Sequence, residues 1–211
     1  TLRSLKRLSD GRHDTPDWRS HQGMYAICVI RVPAVALQPS LEALWRVLSG
    51  LPFVRIHPDH FLHIPLQELG FVCDEPGRRD EISPVRLDEF VAAAAAALTE
   101  QSAFKVRLGG VNSFQDAAFL DIHDGGLCAR VHQRLRDLAA VPTVPRFAYL
   151  PHVTVAHYSA DVPVGNLPAL LATWRDHTFG TFIAKEIEVV TLRLDEAYPP
   201  LKTVAAFPLT S

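Results

Sequence analysis

His63-Ile64-Pro65-Leu66 and His152-Val153-Thr154-Val155 are two short apolar stretches, each headed by a histidine. On an extended strand residues i and i+2 face the same way, so His63 shares a face with Pro65 and His152 with Thr154. Ile64, Leu66, Val153 and Val155 then point into a core. Each strand therefore presents an imidazole toward one open side, and two such strands brought together would set a pair of histidines across a groove. Imidazoles titrate near neutral pH, so such a pair is suited to acid–base chemistry without a metal.

Working outward from these stretches, the chain alternates strands and helices. Tyr25 to Val32 reads as a buried strand, and 41–48 as a short helix with Ser40 at its N-cap. The segment 55–72 carries the first histidine. Ser83-Pro84 opens a long helix to about Gln101, with an alanine run that predicts close packing against a sheet. Strands are expected at 104–111 and 117–122 around an Asn112-Ser113 turn. Leu127, Val131, Leu135 and Leu138 mark a helix by their spacing. The second histidine stretch spans 149–158, a helix follows at 166–176, and 183–194 and 203–209 close the chain as strands. The two halves match, which predicts a two-lobed α+β fold with pseudo-twofold symmetry and the histidine strands in equivalent places.

Composition narrows the partners. A chain of 211 residues with 48% apolar content can bury a sound core, and its formal charge of −2 offers no overall field for gripping long duplex DNA. Cys28, Cys73 and Cys128 lack metal-type spacing and read as reduced core residues of a cytoplasmic protein. No apolar stretch reaches the length of a membrane span. Residues 1–23, with Arg3, Lys6, Arg7, Arg12 and Arg19 among polar residues and little to bury, are set outside the fold as a flexible extension, either an upstream remnant or a basic arm for RNA. Residues 24–211 are expected to form one bilobal domain.

From Met24 to Leu209 the chain resembles the 2H phosphoesterases, and within them the bacterial RNA 2′,3′-cyclic phosphodiesterases also called 2′-5′ RNA ligases. The carriers are His63-Ile64-Pro65-Leu66-Gln67-Glu68-Leu69-Gly70, similar to a histidine–x–threonine–leucine motif, and Pro151-His152-Val153-Thr154-Val155-Ala156, which looks like a near-complete second motif. The resemblance implies antiparallel sheets lining a central cleft with helices outside. It also implies an enzyme, needing neither metal nor cofactor, that opens a 2′,3′-cyclic phosphate at an RNA 3′ end to a 2′-phosphate, with reversible 2′-5′ joining. A monomer acting on RNA 3′ ends or on nucleotides with a 2′,3′-cyclic phosphate is expected, with no membrane partner. A related enzyme for small cyclic or 2′-5′-linked nucleotides, or a weakened member that only binds RNA or a nucleotide, are the alternatives.

In that reading His63 and His152 are the catalytic pair, His63 protonating the ribose oxygen and His152 activating water, while Thr154 donates to the phosphate. Pro65 stands where the family carries Thr or Ser, removing a hydroxyl and a backbone N–H, so it should sit at a bulge or away from a partner strand. Gln67, by alternation on the His63 face, would supply a substitute amide. Arg130, on a helix before the second motif, is the foremost phosphate-gripping candidate, ahead of Arg134, Arg107 and Lys105. Tyr149 and Tyr158 are candidates for stacking on a base. His157 occupies a place where the family often has arginine; alternation turns it away from the groove as a hydrogen-bonded structural histidine. His57, His60 and His63 are evenly spaced, yet a strand would point His60 away from the other two and no carboxylate completes a ligand set, so no metal site is assigned. His57 with Arg55 is placed at the cleft entrance, and His13, His21, His123, His132 and His177 in the tail or at the surface.

Overall fold

The structure, a computed structural model, describes residues 6–12, 16–21, 23–37, 39–139 and 148–210. Two five-stranded sheets organise it. The first has the order β10 (Lys202–Pro208), β9 (Glu186–Arg193), β1 (Met24–Arg31), β3 (His63–Val72) and β4 (Glu81–Ile82). The second runs β2 (Val54–Ile56), β7 (His152–Tyr158), β6 (Ala117–His123), β5 (Phe104–Ser113) and β8 (Thr178–Ala184). All neighbours are antiparallel except β3 and β4. Each histidine strand thus belongs to a different sheet, and β3 and β7 lie beside each other where the sheets meet.

The helices follow from their apolar spacing. In α3 (Pro84–Leu98) the buried side is Leu87, Phe90, Ala94 and Leu98; Ser83 caps it by accepting from the Arg86 N–H at 3.3 Å, and Pro84 opens the first turn. Of the alanine run 92–97 only Ala94 is fully buried, so the run does not lie flat against a sheet as expected. In α4 (Leu127–Leu138) Cys128, Val131 and Leu135 face inward. α2 (Ser40–Leu48) buries Leu41, Leu44 and Leu48; Pro39 holds its cap position and Ser40 lies within the helix, one residue beyond the place expected. α5 (Leu167–Ala172) is shorter than expected.

Two expected elements are redrawn. β5 runs through Asn112 and Ser113, so the turn falls at 114–116. The segment 183–194 is not one strand: β8 ends at Ala184 in one sheet and β9 begins at Glu186 in the other. The charged pair Lys185-Glu186 marks the crossing, between the half-exposed β8 and the largely buried β9. Space is tight at β8, where a Cβ added to Gly180 would lie 1.8 Å from the Ala36 carbonyl oxygen.

The most consequential feature is a bulge in each histidine strand. β3 pairs Pro65 with Val29 and Gln67 with Cys28 of β1, leaving Leu66 as the extra residue. β7 pairs Thr154 with Phe119 and Ala156 with Ala118 of β6, leaving Val155 extra. Both bulges fall three residues after the histidine. Proline offers no N–H to the ladder, which accounts for the first; the second has no proline, and on the other edge of β7 the Val155 carbonyl accepts from the His57 N–H at 2.9 Å, the next rung after the β2 pairing. A bulge reverses alternation beyond it.

Residues 6–12, expected to lie outside the fold, contribute to it. The Leu8 N–H donates to the Val162 carbonyl at 2.8 Å, the Gly11 N–H to that of Tyr158 at 3.0 Å, and the Leu8 side chain is 1% exposed within the main core. A single leucine among charges carries no periodic signal, so its burial was not legible. Further on, α1 (Pro16–Arg19) brings Trp18 within 4.8 Å of Tyr25, and His21 stacks on Phe71 at 3.5 Å. His13 lies outside the described residues. Leu8→Ala should cost about 2–4 kcal/mol in urea unfolding; a change under about 0.5 kcal/mol, the size usual for surface sites, would show that this segment is not part of the folded body.

Candidate active site

Both histidines are held by the same local device. His63 enters β3 from the short turn 59–61, and its Nδ1–H donates to the Phe61 carbonyl at 2.6 Å. His152 begins β7, and its Nδ1–H donates to the Leu150 carbonyl at 2.8 Å. A carbonyl only accepts, so in each ring Nδ1 carries the proton and Nε2 is the nitrogen that takes or gives one. Each imidazole is half-buried and braced edge-on by phenylalanine: Phe61 at 5.4 Å from His63, and Phe114 and Phe119 at 4.9 and 5.4 Å from His152. Burial lowers the His152 pKa below the ordinary 6.5, outweighing the Leu150 carbonyl and the charge of Asp116. His152 is therefore neutral at pH 7.

The motifs are tied to one another through the first bulge. Pro65 and Leu66 present carbonyls that need donors, and the second half of the chain supplies them. The Tyr149 hydroxyl donates to Pro65 at 2.8 Å, and His132 Nδ1–H of α4 donates to Leu66 at 2.6 Å, with the two rings stacked at 4.0 Å. Tyr149 stands three residues before His152, so this bond joins the approach to one motif directly to the other. Thr154, half-buried, shares the His152 side of β7. Cross-strand register sets Arg31 opposite His63 and Asp121 opposite His152. Arg31 is anchored by Glu188 at 2.7 Å and by the Leu201 carbonyl at 2.9 Å.

Several expected site residues are placed elsewhere. Gln67, beyond the Leu66 bulge, pairs with Cys28 on the core side; it is 6% exposed, its amide donates to the Glu68 carbonyl at 2.7 Å, and its Oε1 is buried without a partner among the described residues. It does not reach toward the groove. Tyr158 is fully buried, its hydroxyl 2.7 Å from Ser113 Oγ, and stacks on no open face. Tyr149 commits its ring to His132 and its hydroxyl to Pro65, which makes it a structural tie rather than a stacking platform. His132 is likewise a tie and not a surface residue. Arg130 lies on the exposed side of α4 with Nη1 3.4 Å from the Gly125 carbonyl, and Arg134 reaches the Gln101 side chain at 3.3 Å.

The remaining histidines separate. His57 is 1% exposed, not at a cleft entrance, and its Nε2 lies 3.0 Å from Nδ1 of His157. The Val155 bulge turns His157 to the Thr154 side of β7, opposite to the expected side, though it is hydrogen-bonded and buried. His60 Nε2–H donates to the Tyr198 carbonyl at 2.9 Å. Each imidazole of the evenly spaced set thus has a different partner, and among the described residues no group of three or more His, Cys, Asp or Glu is arranged to hold a metal ion. Cys28 and Cys128 are buried thiols whose pKa burial pushes up. No described helix is long and apolar enough to cross a membrane.

Two sheets meeting at paired histidine strands, with helices packed outside, define the 2H phosphoesterase class of fold. The family model described as the 2′-5′ RNA ligase superfamily matches residues 33–196, and the chain belongs to that family. Its fold is similar to that of TT0787 of Thermus thermophilus (18% identity, TM-score 0.65, covering 88% of this chain and 98% of that one). It is also similar to E. coli LigT complexed with 3′-AMP (14%, TM-score 0.66, 90% and 100%) and with NADP+ (16%, TM-score 0.64, 90% and 100%). No curated protein matches the chain. In an NMR titration the His152 ring should show a midpoint below 6.5. The same lowering means that its contribution to stability is complete above pH 6.5 and is lost as pH falls toward the folded-state value. A His152 midpoint above 6.5 would contradict the buried setting described.

Proposed function

We propose that the chain is an RNA 2′,3′-cyclic phosphodiesterase that opens a terminal cyclic phosphate to a 2′-phosphate using His63 and His152, with neither metal nor cofactor. The observation that carries this reading is the matched commitment of both Nδ1 atoms to the carbonyl two residues back, which directs two Nε2 atoms to proton transfer. His152, neutral at pH 7, takes a proton from water through Nε2. The water oxygen bonds to phosphorus while the bond from phosphorus to the ribose 3′ oxygen breaks. His63, protonated, gives its Nε2 proton to that oxygen, leaving a 3′-hydroxyl and a 2′-phosphate. Thr154 Oγ donates to a non-bridging oxygen where charge accumulates. A ribose 5′-hydroxyl in place of water would form a 2′-5′ linkage by the same transfers. LigT structures complexed with 3′-AMP and with ATP support a nucleotide substrate. We extend the reading to a monomer acting on RNA 3′ ends in the cytoplasm.

Pro65 leaves the first half-site without the second hydroxyl. Loss of one charge-assisted hydrogen bond, about 1.5–3 kcal/mol, slows a step limited by its transition state by roughly ten- to a hundredfold. Turnover without metal should be visible by ³¹P NMR, using an oligonucleotide ending in a 2′,3′-cyclic phosphate in EDTA. His63→Ala and His152→Ala should each lower the rate by about 10²–10⁴-fold, and Thr154→Val by about 10–100-fold. Wild-type rates in both alanine variants would discard the mechanism.

A further inference from the structure

A short strand from the first half of the chain crosses into the second sheet. β2 pairs with β7 through Val54–Tyr158, Arg55–His157 and Ile56–Ala156, and the His57 N–H extends the ladder to Val155. Four residues later the same segment delivers the Phe61 carbonyl that holds His63. The position of His63 relative to His152 therefore depends on how firmly residues 57–61 are fastened to β7.

The fastening is a pair of imidazoles. His57 Nε2 and His157 Nδ1 are 3.0 Å apart in a pocket where the two residues are 1% and 6% exposed, so one ring donates its N–H to the lone pair of the other away from water. The His57 ring meets Phe61 edge-on at 5.2 Å, and Phe61 meets His63 at 5.4 Å. Tyr198 covers the group: its ring is 4.8 Å from His57 and near-parallel to His157, its hydroxyl donates to the Arg55 carbonyl at 3.1 Å, and its own carbonyl accepts from His60. Tyr198 is also the one non-glycine residue at positive φ among those described, at 53°, a conformation that persists only where surrounding contacts enforce it.

We infer that the His57–His157 hydrogen bond is a positioning strut that sets the catalytic ring of His63 against the strand carrying His152. This inference rests on the acid–base reading given above. Neither histidine of the strut touches the phosphate; both act through Phe61 and β7. A displacement of about 1 Å at a reacting group costs on the order of 10²-fold in rate, which gives a single buried bond leverage over kcat.

Side-chain reach supplies the test. The amide of asparagine places its polar atoms where Nδ1 of histidine sits, and that of glutamine reaches the place of Nε2. His157→Asn and His57→Gln therefore preserve the bond, whereas the crossed substitutions His157→Gln and His57→Asn are equally polar but miss it. The matched variants should keep kcat near wild type. The crossed variants should lose about 10–100-fold in kcat with KM little changed and comparable melting temperatures. In ¹⁵N spectra recorded at a pH high enough for the His63 ring to be neutral, its Nδ1–H form should persist in the matched variants and mix with the other tautomer in the crossed ones. Equal kcat and an unchanged His63 tautomer across all four variants would overturn the strut. If the wild-type chain turns over no cyclic phosphate, the reaction assignment fails on its own, and the His63 tautomer still decides the strut.

Discussion

A backbone carbonyl that leaves its ladder inside a protein must find another donor, and this requirement joins the two halves of the molecule. Pro65 interrupts β3, and the carbonyls of Pro65 and Leu66 are met by Tyr149 and His132 from the opposite half. On β7 the Val155 carbonyl accepts from the His57 N–H as a further rung of the β2 ladder, again from the opposite half. These bonds tie each histidine strand to a segment of the opposite half.

The two half-sites are alike in geometry and unlike in electrostatics. Both rings are aimed by the carbonyl two residues back and braced by phenylalanine. His152 is desolvated enough that its proton affinity falls, and its cross-strand partner is Asp121; the partner of His63 is Arg31, held by Glu188. A symmetric fold thereby supplies two nitrogens that need not share a role. Pseudo-symmetry sets positions, and the local dielectric sets the proton affinity of His152.

Much of the fold was legible. The helices declared themselves through buried positions at spacings of three and four, as in Leu87, Phe90, Ala94 and Leu98, and the histidine strands through their apolar alternation. Two face assignments failed because alternation was assumed to continue. Gln67 and His157 were each assigned to a face by counting in twos, and each lies just past a bulge that inverts the count. The crossing at Lys185 carries only a local signal, the charged pair Lys185-Glu186 between two β-prone stretches, and which sheet each stretch joins is settled by distant partners. Leu8 was missed, and Tyr149 was given a stacking role in place of its tie to Pro65, because their partners lie far away in the sequence.

By itself the sequence singled out the two histidines and the strands that present them, since an imidazole at the head of an apolar strand is a local pattern governed by side-chain period and burial. Tertiary structure alone decided which polar side chains reach the groove and which are ties: Tyr158 went to the core, Tyr149 and His132 to the bulge carbonyls, and His157 to His57. The physical reason is that a bulge's orphaned hydrogen-bonding groups are satisfied by whatever donor the fold brings near, and proximity between distant segments is not encoded in any local period.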